Sequence, residues 1–241
     1  GYVGAGTVEF LLDATSSGDA AFWFMEMNTR LQVEHPVTEL VTGIDLVEWQ
    51  IRIARGERLT IDRARAAMPS GHAIECRVYA EDPDARFMPA PGRITHLRQP
   101  SGPGIRDDSG VAAGFTVPVH YDSMISKLAA WGSDRTQAIA RLRRALDEYE
   151  VRGIRTTLPF FRWLVLQDDF AAARFDTTTL DAELASRQGR PFVETPADAL
   201  RTAIIATALE ARARATRPVA AAPAAAPVSR WAELARREAL R

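Results

Sequence analysis

Two apolar runs open the chain: Thr7-Val8-Glu9-Phe10-Leu11-Leu12 and Ala21-Phe22-Trp23-Phe24-Met25-Glu26-Met27. Both are rich in aromatic and branched side chains and predict strands, and Ser16-Ser17-Gly18-Asp19 between them is turn chemistry, so a hairpin is the simplest connection. The second run then turns polar without a break, through Asn28, Arg30, Gln32, Glu34 and His35 to Pro36. One such side chain marks a strand leaving the core. Five in one run are costly to bury unless each has a partner or a ligand.

Helical spacing follows. Pro36 to Gly43 predicts a short helical turn, and Asp45 to Arg55 a helix with Asp45 as N-cap, Gly56 as stop and Leu46, Val47, Gln50, Ile51 and Ala54 facing inward. After Pro69-Ser70-Gly71 the period becomes two: Ile74, Cys76 and Val78 face one way, Glu75, Arg77 and Tyr79 the other. Connections rich in Gly and Pro (Pro89 to Gly92, Pro100 to Gly104) separate short strands such as Arg93 to Leu97, and Met124 to Trp131 continues the pattern. Asp134 to Glu150 is a helix with Ile139, Leu142, Leu146 and Tyr149 on its inner stripe, and Gly153 follows its end. Pro159 to Leu166 predicts another. Thr195-Pro196-Ala197-Asp198 is a helix start, and that helix runs to about Arg214, before Pro218. Ala220 to Pro227 reads as a linker, and Ser229 to Leu240 as a short basic amphipathic helix.

At 241 residues, with apolar residues at 46% and charged residues at 25%, the chain has room for a sizeable core. Its formal charge of −1 offers no broad field for nucleic acid, and no apolar run approaches the roughly 20 residues of a membrane span. Cys76 is the only cysteine, which excludes an intrachain disulfide and a cysteine metal cluster and suits the cytoplasm. The opening Gly1-Tyr2-Val3-Gly4 reads as mid-fold, the C-terminal part of a longer protein. Lys127 is the single lysine.

The hairpin itself suggests chemistry. A tight turn centred between Ser17 and Gly18 sets Glu9 opposite Glu26. Like charges directly across a sheet repel, and a divalent cation between them reverses that sign. Asn28 shares the face of Glu26. Two carboxylates and an amide oxygen are hard ligands that suit Mg²⁺ or Mn²⁺. A surface acid pair with unrelated rotamers is the simpler alternative.

Glu26-x-Asn28-x-Arg30 at a strand end, with an upstream strand acid, resembles the ATP-grasp superfamily. Its continuation through Gln32-Val33-Glu34-His35-Pro36-Val37-Thr38-Glu39 is similar to biotin carboxylase. Thr42-Gly43-Ile44-Asp45-Leu46, Gly71-His72-Ala73-Ile74-Glu75-Cys76-Arg77 and Tyr121-Asp122-Ser123-Met124-Ile125-Ser126-Lys127-Leu128 support the likeness, which covers residues 1 to about 185. It implies an α+β chain: residues 1–68 the C-terminal part of an ATP-grasp domain (antiparallel sheet with helices), 69–190 the biotin carboxylase C-terminal α+β domain, and 191–241 a helical tail with a linker at 217–228.

The resemblance also implies roles. Glu9, Glu26 and Asn28 match the family's metal ligands. Arg30 matches the residue that grips bicarbonate, Gln32 and Val33 the wall of the bicarbonate and biotin pocket, and Glu34 the base that removes the bicarbonate proton. Arg77 matches the arginine that stabilises the biotin enolate; Leu11 and Ile154 match contacts to adenine. The implied ligands are ATP, Mg²⁺ or Mn²⁺, bicarbonate, and biotin on a separate carrier protein or domain. The implied partners are that carrier, a carboxyltransferase and a second copy in a homodimer, within an acyl-CoA carboxylase such as the acetyl-CoA carboxylase of fatty acid synthesis. Neither the glycine-rich lid nor the lysines that clamp ATP occur here, and no Ala-Met-Lys-Met-like stretch does, so the chain alone is expected neither to turn over nor to carry biotin. Plain alternatives are a surface Glu75–Arg77 pair, a helix start at Glu34-His35-Pro36, another ATP-grasp ligase of carbamoyl-phosphate or purine-pathway type, and a non-catalytic association module. Glu39 reads as structural, and the four histidines have no metal-ligand spacing.

Overall fold

The structure, a computed structural model, describes residues 1–13, 21–194 and 196–215. The predicted turn at Ser16 to Asp19, the Thr195 cap, the linker at 217–228 and the basic helix from Ser229 to Leu240 lie outside them. The chain divides into two compact units, Gly1–Val193 and Glu194–Arg241. In the second, α8 (Ala197–Ala215) is a single long helix, and Thr202 Oγ1 donates to the Asp198 carbonyl along it.

The first unit begins with the hairpin of β1 (Thr7–Leu12) and β2 (Phe22–Asn28), antiparallel as expected. Apolar side chains stand on both of its faces, with Phe10 edge-on to Phe22 and Phe24. Next come α1 (His35–Thr42), α2 (Leu46–Ala54) and the single turn α3 (Arg63–Ala66). Gly43 ends α1 in the left-handed region, its N–H donating to the Glu39 carbonyl at 2.8 Å. Asp45 caps α2 by accepting from the Glu48 N–H at 2.7 Å.

The larger sheet takes β3 (His72–Tyr79) at one edge, β10 (Met124–Gly132) in the middle and β8 (Ile105–Ser109) at the other edge, all antiparallel. The connections carry paired short strands: β4 (Glu81–Asp82) with β5 (Met88–Pro89), β6 (Gly92–Arg93) with β9 (Thr116–Val117), and β7 (His96–Arg98) with β11 (Glu150–Arg152). The single strand expected at Arg93 to Leu97 is thus split, because its two ends pair with different partners.

Cys76 and Val78 of β3, with Leu128 and Ala130 of β10, form the core face of this sheet, as the alternation required. Against it packs α4 (Arg135–Glu148), started by Asp134, which accepts from the Gln137 N–H at 2.8 Å. Leu142, Leu146 and Tyr149 are fully buried there. The inner stripe runs through Ala138 and Ala145, with Ile139 turned partly aside, because a small residue lets α4 approach β10 closely. The unit is completed by α5 (Leu158–Leu164), α6 (Asp168–Ala171) and α7 (Thr179–Arg187). Among the described residues no helix is long and apolar enough to cross a membrane.

Candidate functional site

Glu9 and Glu26 stand opposite each other across the hairpin, for a reason the simple register did not contain. Near the turn Leu12 pairs with Phe22 and Phe10 with Phe24, one place off the register a turn between Ser17 and Gly18 would set. An irregularity between Glu9 and Phe10 takes up Met25 as the extra residue and restores the pairing of Glu9 with Glu26. The uniform hairpin is corrected, and the acid pair survives because of the bulge.

Asn28 Nδ2 lies between the two acids, donating to Glu9 Oε1 at 2.8 Å and Glu26 Oε1 at 3.1 Å. The partial positive charge of that amide occupies the focus of two carboxylates, which is where a cation lowers the repulsion furthest. The donor set fits a hard divalent ion: two carboxylates and an amide that can present oxygen instead. Among the described residues no group of three or more His, Cys, Asp or Glu gathers for a metal.

Gln32 joins this cluster to the next. Its Nε2 is 3.5 Å from Glu9 Oε1, and its side chain lines a cleft of about 370 Å³ together with Arg30, Glu34, His35, Thr38 and Thr7. Arg30 and Glu34 therefore face the same space. Arg30 is exposed, its Nη1 donating to the neighbouring Leu31 carbonyl at 3.3 Å. Val33 is half-buried in the turn between Gln32 and Glu34. Glu34 occupies the N-cap of α1 yet makes no side-chain capping bond; its carboxylate instead accepts from Arg77 Nη2 at 2.6 Å. A helix does begin at Glu34-His35-Pro36, but the Glu34 side chain is not spent on starting it.

That contact ties the two halves of the unit. Arg77 sits on β3 directly across from Lys127 of β10, which is directly across from Asp108 of β8. One residue pair along, Glu75 faces Ala129, which faces Arg106. This non-core face of the sheet is thus a lattice of charge, and α1 lies over it. Glu39, 8% exposed, accepts from Arg106 Nη1 at 2.6 Å and from the Leu46 N–H at 2.7 Å, so it joins β8, α1 and the start of α2. Arg106 also grips Asp108 with two bonds, at 2.8 and 2.9 Å. Those bonds lower the Asp108 pKa and raise that of Arg106. Lys127, 3.4 Å from Asp108, belongs to this lattice.

Glu75 contacts Arg77 Nε at 3.4 Å, and burial pushes its carboxyl pKa up despite that neighbour. Burial opposes the charge of Arg77, but hydrogen bonds to Glu75 and Tyr79 and the field of Glu34 leave its pKa raised. The pair is therefore more than a surface contact. Sequence reasoning gave Glu75 no role. The signal was its place two residues before Arg77 on one strand face.

Leu11 lies exposed on β1, while Ile154 lines another cleft of about 310 Å³ with Asp82, Thr156 and Arg162. The structure holds them on separate elements.

Residues 75–182 match the family described as Biotin carboxylase C-terminal domain, and residues 1–62 the family described as Carbamoyl-phosphate synthase L chain, ATP binding domain. The chain is 51% identical over 177 residues to a biotin carboxylase of Nostoc, a match covering 73% of this chain and 38% of that protein. It is 47% identical over 181 residues to biotin carboxylase 1 of Bacillus subtilis, covering 75% of this chain and 39% of that one. Its fold superposes with a TM-score of 0.71, at 40% identity, on the biotin carboxylase domain dimer of Hydrogenobacter thermophilus 2-oxoglutarate carboxylase in complex with MgADP, ADP and bicarbonate, covering 80% of this chain and 40% of that one. The chain thus spans well under half the length of these relatives. With an ATP-binding segment joined to a biotin carboxylase C-terminal domain, it belongs to the biotin carboxylase family of ATP-dependent ligases.

Proposed function

We propose that this chain supplies the metal-holding and acceptor half of a biotin carboxylase, which carboxylates carrier-bound biotin at N1 using ATP and bicarbonate. The observation that carries the reading is the junction at Gln32: the acid pair with Asn28 on one side, the cleft of Arg30 and Glu34 on the other. Residues 1–68 are taken as the end of the ATP-grasp domain, 69–190 as the C-terminal domain and 191–241 as the tail.

Glu9, Glu26 and Asn28 would hold Mg²⁺ or Mn²⁺, which would supply positive charge to offset that of the ATP phosphates. Arg30 grips bicarbonate, a planar anion suited to its fork, beside Gln32 and the Val33 backbone. Glu34 accepts the bicarbonate proton, so that the freed oxygen attacks the γ-phosphorus and ADP leaves. The resulting carboxyphosphate breaks into CO₂ and phosphate; the phosphate takes the N1 proton of biotin, and N1 bonds to CO₂. Arg77 stabilises the negative oxygen of the biotin ureido group meanwhile. Leu11 and Ile154 contact adenine once the remainder of the ATP site surrounds them.

The partners in this reading are a biotin carrier protein or domain, a carboxyltransferase and a second copy, as in the Hydrogenobacter dimer. The transferase chooses the final acceptor, an acyl-CoA or a keto acid, and the free Cys76 suits the cytoplasm. A carbamoyl-phosphate-type ligase is the second reading, which the ATP-binding match alone would serve equally. The C-terminal domain match over residues 75–182 favours biotin. The test is ADP formation by the complete enzyme with bicarbonate or free biotin omitted in turn. Loss of the full rate on each omission is expected; a rate indifferent to biotin contradicts the reading.

A further inference from the structure

Glu75 occupies a costly position. Its side chain is 6% exposed, Oε1 reaches Arg77 Nε only at 3.4 Å, and Oε2 is buried with no partner among the described residues. An unsatisfied buried acceptor of this kind carries its full desolvation cost and calls for a reason. The charges acting on it are Arg77 on its own strand, Lys127 on β10 and Glu34 at the N-cap of α1, with Arg106 on β8 beyond Ala129. None of these fills the second oxygen.

Arg77, meanwhile, has one hand on each of two acids: Nη2 on Glu34 at 2.6 Å, Nε on Glu75 at 3.4 Å. Both roles in the proposed reaction require the first grip to open. Glu34 cannot take a proton well while it is closed on a guanidinium, and Arg77 cannot meet the biotin oxygen with the nitrogen that Glu34 holds.

We propose that Glu75 is the positioning residue that takes over Arg77 when it releases Glu34. A carboxylate offering two oxygens matches the planar guanidinium fork, and the buried second oxygen of Glu75, which has no partner among the described residues, is the acceptor such a grip would use. Glu34 is thereby freed for the bicarbonate proton, and Arg77 keeps an N–H directed at biotin without having to order itself anew. The inference rests on the proposed biotin carboxylase reading.

Glu75→Gln in the complete enzyme tests it, because Gln keeps the size and one acceptor but loses the second oxygen and the charge. With MgATP and bicarbonate saturating, kcat/KM for free biotin should fall about tenfold or more, while KM for ATP stays within about twofold. The thermal midpoint should hold, since Gln keeps the size and gives up only a charge that burial already disfavours. Unchanged biotin kinetics overturn the proposal, and so does a parallel loss of activity and midpoint, which would make Glu75 purely structural. Should Glu75→Gln fail to fold, Glu75→Asp keeps the charge one methylene short of Arg77 and is expected to show the same loss toward biotin; normal biotin kinetics there overturn the proposal too. Wild-type enzyme without any biotin-dependent turnover would instead remove the reading beneath it.

Discussion

Between Glu9 and Glu26 stands a single amide, and its two donated bonds at 2.8 and 3.1 Å hold together charges that would otherwise separate. Removing one of those charges should weaken divalent binding directly. Glu26→Gln is expected to reduce Mn²⁺ affinity at least about tenfold, read by the free Mn²⁺ signal in electron paramagnetic resonance with nucleotide present. Asp107 offers a test of stability alone. It lies on the core face, accepting from Gln99 Nε2 at 2.7 Å, with the Tyr149 hydroxyl 3.2 Å away, and its Oδ1 is buried with no partner among the described residues. Burial raises its pKa above 3.8. The folded state therefore holds this proton more tightly than the unfolded state, so the stability it contributes is full below 3.8 and lost as pH rises through the raised value. Asp107→Asn is expected to be more stable than wild type by about 1 kcal/mol at neutral pH, with the margin shrinking in acid, in denaturant unfolding at several pH values. At this scale the sequence showed what is local. Glu9, Glu26 and Asn28 belong to one hairpin and could be placed by its register. The Arg77–Glu34 contact spans 43 positions and depends on how α1 meets the sheet, which no periodicity records.

Elements were most legible where a cap marks them. Asp45 and Asp134 each accept from the N–H three residues on, and the helices begin where those residues direct. The hairpin was legible in kind and partly in register, because a bulge leaves no mark in the alternation. What α1 does was not legible. Its first carboxylate, Glu34, meets Arg77 on one edge strand and its buried Glu39 meets Arg106 on the other, so the helix is pinned across the charged sheet face at two points. Glu39, read from the sequence as structural, is so in a specific sense: it locates the segment that carries Arg30 and Glu34. Glu39→Ala strands part of Arg106 and leaves the Leu46 N–H uncapped. It is expected to lower stability by about 2 kcal/mol and to raise KM for bicarbonate more than KM for ATP, in thermal unfolding and steady-state kinetics of the complete enzyme.

For the molecule as a whole, a formal charge of −1 concealed strong local order. Arg77, Lys127 and Asp108 line up across three strands, with Glu75 and Arg106 beside them, and cancellation within that lattice is why composition gave no hint of it. Strand order β3-β10-β8 places the single lysine at its centre, against Asp108. The family likeness reached the same residues by another route, and the geometry gives it a physical basis in one cleft shared by an arginine and a carboxylate. That shared cleft is the central claim. Its most direct test is transfer of label from bicarbonate to free biotin by the complete enzyme, comparing wild type with Arg30→Lys and Glu34→Gln. Both variants are expected to bind ATP normally and to lose at least about a hundredfold in labelled carboxybiotin formed per second; near-normal transfer by either one would contradict the account.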